Sequence, residues 1–119
     1  MKRILGIFIC IFLVSPAFAY MGKSFDIPVN ACVNHILVPT ETKALQLKTE
    51  INSYEDFQQL AKIYSECPSG RKGGYLGCFG HGQMVKPFEE AAFNGNIGEV
   101  VGPVKTQFGY HLLWITRRY

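Results

Sequence analysis

The sequence predicts an α+β domain with helices packed on a small, mostly antiparallel sheet, in the order β-α-α-β-α-β-β. Three observations carry this reading. Short β-branched and aromatic runs alternate with stretches of helical apolar spacing. Serine, threonine, proline and glycine stand where those stretches begin and end. No repeat, low-complexity segment or linker interrupts the chain after its apolar N-terminus, and 119 residues are room for one domain.

The elements follow in order. Residues 20–30 are a short lead-in without a period. Ala31 to Val38 is apolar, β-rich and closed by Pro39, which reads as a strand with Ala31, Val33, His35 and Leu37 on one face and Cys32 on the other. Thr40 suits a helix cap, Glu41 suits a first turn, and Ala44, Leu47 and Ile51 form a stripe. Asn52-Ser53 interrupts, and Ser53 with Asp56 resembles a capping box. Phe57, Leu60, Ala61 and Tyr64 then lie on one helix face. Six of the twelve glycines fall between residues 70 and 82, which implies tight turns around a short strand from Tyr75 to Phe79. Lys86 to Phe93 reads as a helix with Pro87 near its start and Gly95 as terminator. Gly98 to Thr106 reads as a strand, and Pro103 argues that it is an edge or carries a bulge. After a turn at Gln107-Phe108-Gly109 the last strand runs from Tyr110 to Arg117, with His111, Leu113 and Ile115 on one face.

The N-terminus is a targeting segment by composition. Met1-Lys2-Arg3 precedes an apolar run from Ile4 to Val14, and Ser15-Pro16-Ala17-Phe18-Ala19 ends in an Ala-x-Ala site. We expect residues 1–19 to be a cleaved signal peptide, residues 20–30 a lead-in and residues 31–119 the domain. An uncleaved membrane anchor is the alternative, and Ser15-Pro16 argues against it. The reading places the protein in a periplasm or outside the cell, without stable membrane insertion after cleavage. Loss of Lys2 and Arg3 leaves ten basic against nine acidic residues, a net charge of +1. So small and scattered a charge excludes the clustered basic face that nucleic acid requires. An apolar content of 48% excludes intrinsic disorder. Cys32, Cys67 and Cys78 are an odd number for an exported domain, so at least one stays unpaired within the chain. The opposite faces of Cys32 and His35 argue against a Cys32–Cys67 bridge. A Cys67–Cys78 bridge stays open, since strict alternation puts Cys78 on the face of Leu76.

Chemistry by count alone points nowhere specific. Cys78 and His81 have a zinc-ligand gap, yet no second pair completes a site, and we expect no metal and no cofactor. The Gly73–Gly77 run matches neither a P-loop nor a dinucleotide fingerprint. Cys67 lacks the local signatures of a thiol protease.

A series of motifs is more telling. His35-Ile36-Leu37-Val38 is followed by Phe57-x-x-Leu60-Ala61, Ser65-x-Cys67-Pro68-Ser69-Gly70 and Gly73-Gly74-x-Leu76-Gly77. Gly82-Gln83-Met84-Val85-x-Pro87-Phe88 and Gly102-Pro103-Val104-Lys105-Thr106-Gln107-Phe108-Gly109-Tyr110-His111 complete it. In this order and spacing the chain, from about Ala31 to Arg117, resembles the parvulin family of peptidyl-prolyl cis/trans isomerases. The resemblance implies a four-stranded antiparallel sheet surrounded by helices. It implies His35 and His111 as a histidine pair on adjacent central strands, Thr106 as the hydroxyl bonded to it, and Cys67 at the position that is Cys or Asp in the family. It further implies Leu76, Met84 and Phe88 as the pocket for a proline ring, with Gln83 and Phe108 flanking the groove. Tyr75 stands where the family usually has Asp, and His81 where it has Arg or Gln, so rim contacts should differ. The partners implied are proline-containing polypeptides. We expect an exported, monomeric folding catalyst with no requirement for phosphate. The alternative is a catalytically weak parvulin-fold chaperone.

Overall fold

The computed structural model describes residues 27–119, so the signal-peptide reading lies outside the described residues. Strand β1 (Asn30–Val38) leads into helices α1 (Glu41–Glu50) and α2 (Tyr54–Tyr64) and a 3₁₀ turn (Pro68–Lys72). Then follow β2 (Tyr75–Gly80), α3 (Lys86–Asn94), β3 (Val100–Thr106) and β4 (Gly109–Arg118). The strands form one antiparallel sheet in the order β2-β1-β4-β3.

Local chemistry accounts for the helix starts. The Thr40 hydroxyl accepts the Lys43 N–H at 3.2 Å, and the Ser53 hydroxyl accepts the Asp56 N–H at 3.1 Å. Asp56 Oδ2 in turn takes the Asn52 N–H. α1 stops at Glu50, and Ile51 closes it from the extended region while still reaching the core.

Both faces of the sheet are covered. Ile36, Val38 and Leu112 pack under α1 and α2 with Ala44, Leu47, Phe57 and Ala61. Ala31, Val33, Leu113 and Ile115 pack under α3 with Phe79, Phe88 and Ala92. This two-sided burial is why β1 is buried along nearly its whole length rather than at alternate residues.

Irregularities in the ladder place side chains. β3 is an edge strand, and its register with β4 shifts between Val101 and Val104, around Pro103. In β2, Val33 opposes Gly77 but Asn34 opposes Tyr75, leaving Leu76 as an extra residue. Gly77 lies at φ 86°, a conformation open to glycine. The bulge breaks the alternation, so Leu76 and Phe79 both pack toward α3 and Cys78 turns to the other side. That overturns the expectation that Cys78 shares a face with Leu76, and with it a Cys67–Cys78 bridge. Cys78 stands opposite Cys32 and is bonded to it, and Cys67 is free.

Gly95 ends α3 for a reason other than the one its sequence position suggests. Its φ of −73° is ordinary, but a Cβ there would lie 2.7 Å from Val101 Cγ2 and 2.8 Å from the Ala91 carbonyl. The Arg118 guanidinium donates to the carbonyls of Ala92 and Gly95, supplying the cation that α3 lacks in its own last turn. The Gly-rich segment after α2, read from sequence as tight turns around a short strand, also contains the five-residue 3₁₀ turn.

Candidate active site

The two central strands present their histidines to one another. Leu37 pairs with His111 and His35 with Leu113, so His35 and His111 are diagonal neighbours on the α3 face. Their rings stack with centroids 5.2 Å apart, and the two Nδ1 atoms are 3.0 Å apart. Phe88, from the first turns of α3, stands edge-on to both rings, with centroids at 5.5 and 5.2 Å.

The pair belongs to a chain of hydrogen bonds. Thr106 Oγ1 lies 2.8 Å from His111 Nε2 and also accepts the Phe108 N–H at 3.1 Å. At the other end His35 Nε2 lies 3.1 Å from Ser69 Oγ. With both rings neutral, the Nδ1–Nδ1 contact holds one proton, so one nitrogen donates and its mate accepts. Thr106, His111, His35 and Ser69 therefore orient their protons in one common direction along the chain. Burial holds both rings in the neutral form. It pushes His35 down to about 4, with a smaller contribution from neighbouring His111, and it lowers His111 as well.

Beside the pair opens a cavity of about 470 Å³. His35 and Leu37 come from β1, Leu76 from β2, Phe88 from α3 and His111 from β4. Glu66, Cys67 and Pro68 wall it after α2, Gln83, Met84 and Val85 before α3, and Phe108 from the β3–β4 turn. Every sequence-predicted site residue thus lies in this one place, with Thr106 behind His111. The cavity wall is predominantly apolar, and among the described residues no lysine or arginine lines it.

The loops that carry these walls are pinned. Ser65 Oγ accepts the N–H groups of Leu37 and Cys67, and the Leu37 carbonyl accepts the Glu66 N–H at 2.8 Å. Gln83 Oε1 takes the Gly80 N–H. Glu89 takes the Gly82 N–H and pairs with His81, which stacks on Phe93 at 3.9 Å. The Gly82 N–H first, and then His81, hold the Glu89 carboxyl below its usual range. His81 thus braces the loop that delivers Gln83 and Met84.

The sequence reading did not name Leu37, Glu66, Pro68 and Val85 of the cavity wall, and two polar supports of the site escaped it as well. Ser69 was visible only as part of a motif, and its tie to His35 spans 34 residues. Buried Asn34 donates to the Gly73 carbonyl and accepts from the Tyr54 hydroxyl, anchoring the glycine turn beside β1. A polar residue inside the run ACVNHILV was its signal. The Cys32–Cys78 bridge lies at the β1–β2 edge, and it takes the Cys78 sulfur, so the Cys78–His81 pair has no thiolate to offer a metal.

Comparison with known proteins agrees with this geometry. Residues 21–119 match the model of the PPIC-type PPIase domain. The chain belongs to the parvulin family of peptidyl-prolyl isomerases. It is 51% identical over 84 residues to the foldase protein PrsA of Geobacillus kaustophilus, a match covering 70% of this chain and 30% of that protein. Among solved structures, the peptidylprolyl isomerase PrsA of Bacillus cereus superposes with a TM-score of 0.72 at 44% identity, covering 84% of this chain and 39% of that one. A structure from work on PEB4 and the periplasmic protein Cj1289, SurA-like chaperones of Campylobacter jejuni, gives a TM-score of 0.72 at 35% identity. That match covers 92% of this chain and 48% of the other. The parvulin chain therefore spans about 30% of the length of the curated relatives it matches.

Proposed function

We propose that this chain is an exported peptidyl-prolyl cis/trans isomerase that assists proline-limited folding and has no requirement for phosphate. The observation that carries the reading is the apolar cavity set directly against a neutral, fully hydrogen-bonded histidine pair. Amide resonance opposes rotation about the peptide bond by ~18–20 kcal/mol. No bond has to break, so the task is to bind a twisted amide better than either planar isomer. Leu76, Met84 and Phe88 hold the proline ring and strip water from one side of the bond. Gln83 and Phe108 grip the flanking chain. Cys67, His35, His111 and Thr106 set the field around the rotating carbonyl, where charge separation falls as resonance is lost.

Phosphate independence rests on the cavity wall. Selection of phosphorylated residues needs several basic side chains on the groove. The connection from β1 to α1 is short, and Arg71 and Lys72 end the 3₁₀ turn without lining the cavity. Export is supported by the basic, apolar and Ala17-x-Ala19 series and by the Cys32–Cys78 bridge, since disulfides persist in oxidising compartments. Among the described residues no helix is long and apolar enough to cross a membrane. The C. jejuni chaperones favour a second reading, a peptide-capturing module of weak catalytic power.

A protease-coupled assay on residues 20–119 with Ala-Pro, Leu-Pro and phosphoSer-Pro peptides separates these readings. Turnover of the neutral peptides is the expected result. Binding without turnover identifies the chaperone. A preference of tenfold or more for phosphoSer-Pro, on the order of 1.4 kcal/mol in transition-state binding, overturns phosphate independence.

A further inference from the structure

Glu66, an exposed residue, is the one acid or Lys/Arg among the described residues that line the cavity, and the isomerisation chemistry above leaves it unused. Its place on the wall is set by backbone. The Glu66 N–H donates to the Leu37 carbonyl, and the neighbouring Cys67 N–H donates to Ser65 Oγ, which also holds the Leu37 N–H. Its carboxylate forms no ion pair with another described residue, whereas Glu89, the other acid near the groove, is engaged by His81 and Gly82. Lys43 lies over the Tyr64 ring, and Arg71 and Lys72 lie off the cavity wall.

Glu66 is exposed, so its carboxylate stands in solvent at the rim of the cavity, and a charge that comes beside it gains the modest energy of a surface pair. The polypeptide that fills the cavity must run past it. A lysine or arginine next to the proline reaches such a group with a long, flexible stem, and arginine can engage both oxygens. An acidic neighbour meets repulsion instead. We infer that Glu66 makes this site select proline segments that carry a lysine or arginine next to the proline, and disfavour acidic ones. The inference rests on the isomerase reading and extends it to a substrate class.

The test is kcat/KM on peptides that differ only in the residue directly before or directly after proline: lysine, arginine, norleucine as the neutral counterpart, and glutamate. The expected result is a preference for lysine or arginine over norleucine of about two- to fivefold, the range of partly exposed charge pairs. Added salt should shrink it. Glu66→Gln should bring the ratio to about one, and Glu66→Lys should turn it in favour of glutamate. A ratio of one in the parent, or a preference that persists in Glu66→Gln, overturns the inference. The salt titration of the parent protein needs no variant and decides the matter if a substitution misfolds. A flat charge series with brisk turnover removes only the role of Glu66, whereas no turnover of any peptide removes the isomerase reading along with it.

Discussion

Met84 and Phe88 both wall the cavity, but they stand differently toward the core. Phe88 is buried against Phe79 and both histidines, while Met84 packs on that cluster from its edge. Met84→Ala should therefore lower kcat/KM with little change in melting temperature. Phe88→Ala should lower both, with a stability loss of about 3–5 kcal/mol from the cavity it leaves. Peptide kinetics beside thermal unfolding of each variant checks this, and full activity in folded Met84→Ala would refute the pocket assignment. The histidines were legible as a pair only through the family motif. Spacing alone placed each on a strand face, whereas their shared proton and the tie to Ser69 required the strands to be brought into register.

At the scale of elements, the connection from the 3₁₀ turn into β2 decides how well β1 is held. The Gly74 carbonyl accepts the His35 N–H at 2.9 Å, and Gly74 lies at φ 86°. A Cβ on Gly74 would come within 2.3 Å of the His35 carbonyl oxygen, a contact with backbone that cannot be relieved by a rotamer change. Gly74→Ala should thus displace His35 and cost both stability and activity, by about 2 kcal/mol or more in unfolding free energy. Denaturant titration measures it, and an unchanged midpoint would show that the turn is not tightly packed. The edge of the same sheet supplies the second prediction. Peptide mapping without reductant should recover a Cys32–Cys78 pair and a free Cys67. Reduction of the bridge, which closes a separation of 46 residues, should cost about 2–4 kcal/mol. Helix caps at Thr40 and Ser53 were readable in advance because they are local. The partner of Cys32 was not, because one extra residue at a bulge reverses every later side chain in β2.

For the whole molecule, the buried neutral histidines set the response to acid. An unfolded chain protonates His35 near 6.5, while the folded protein resists until about 4. Between those values the unfolded state binds more protons, so stability falls as pH drops through this window and levels off below it. The loss is about 3 kcal/mol from His35, and His111 adds to it in the same direction. Denaturant unfolding across this window should show the decline, and a flat profile would mean that the pair protonates freely in the folded state. Intact mass of exported material should begin at Tyr20, and a membrane-bound species retaining residues 1–19 would favour an anchor. By itself, the sequence determined the order of the strands and α-helices, their approximate bounds, the caps at Thr40 and Ser53, the edge or bulge at Pro103 and the candidate residues that the fold brings around one cavity. These depend on apolar period, side-chain hydrogen bonds over a few residues and motif spacing, all properties of short segments. Only the tertiary structure decided which cysteines pair, how the Thr106–His111–His35–Ser69 chain connects, and that Glu66 stands at the rim of the cavity. Each of these depends on strand register, bulges and backbone contacts between segments far apart in the chain, which no local pattern encodes.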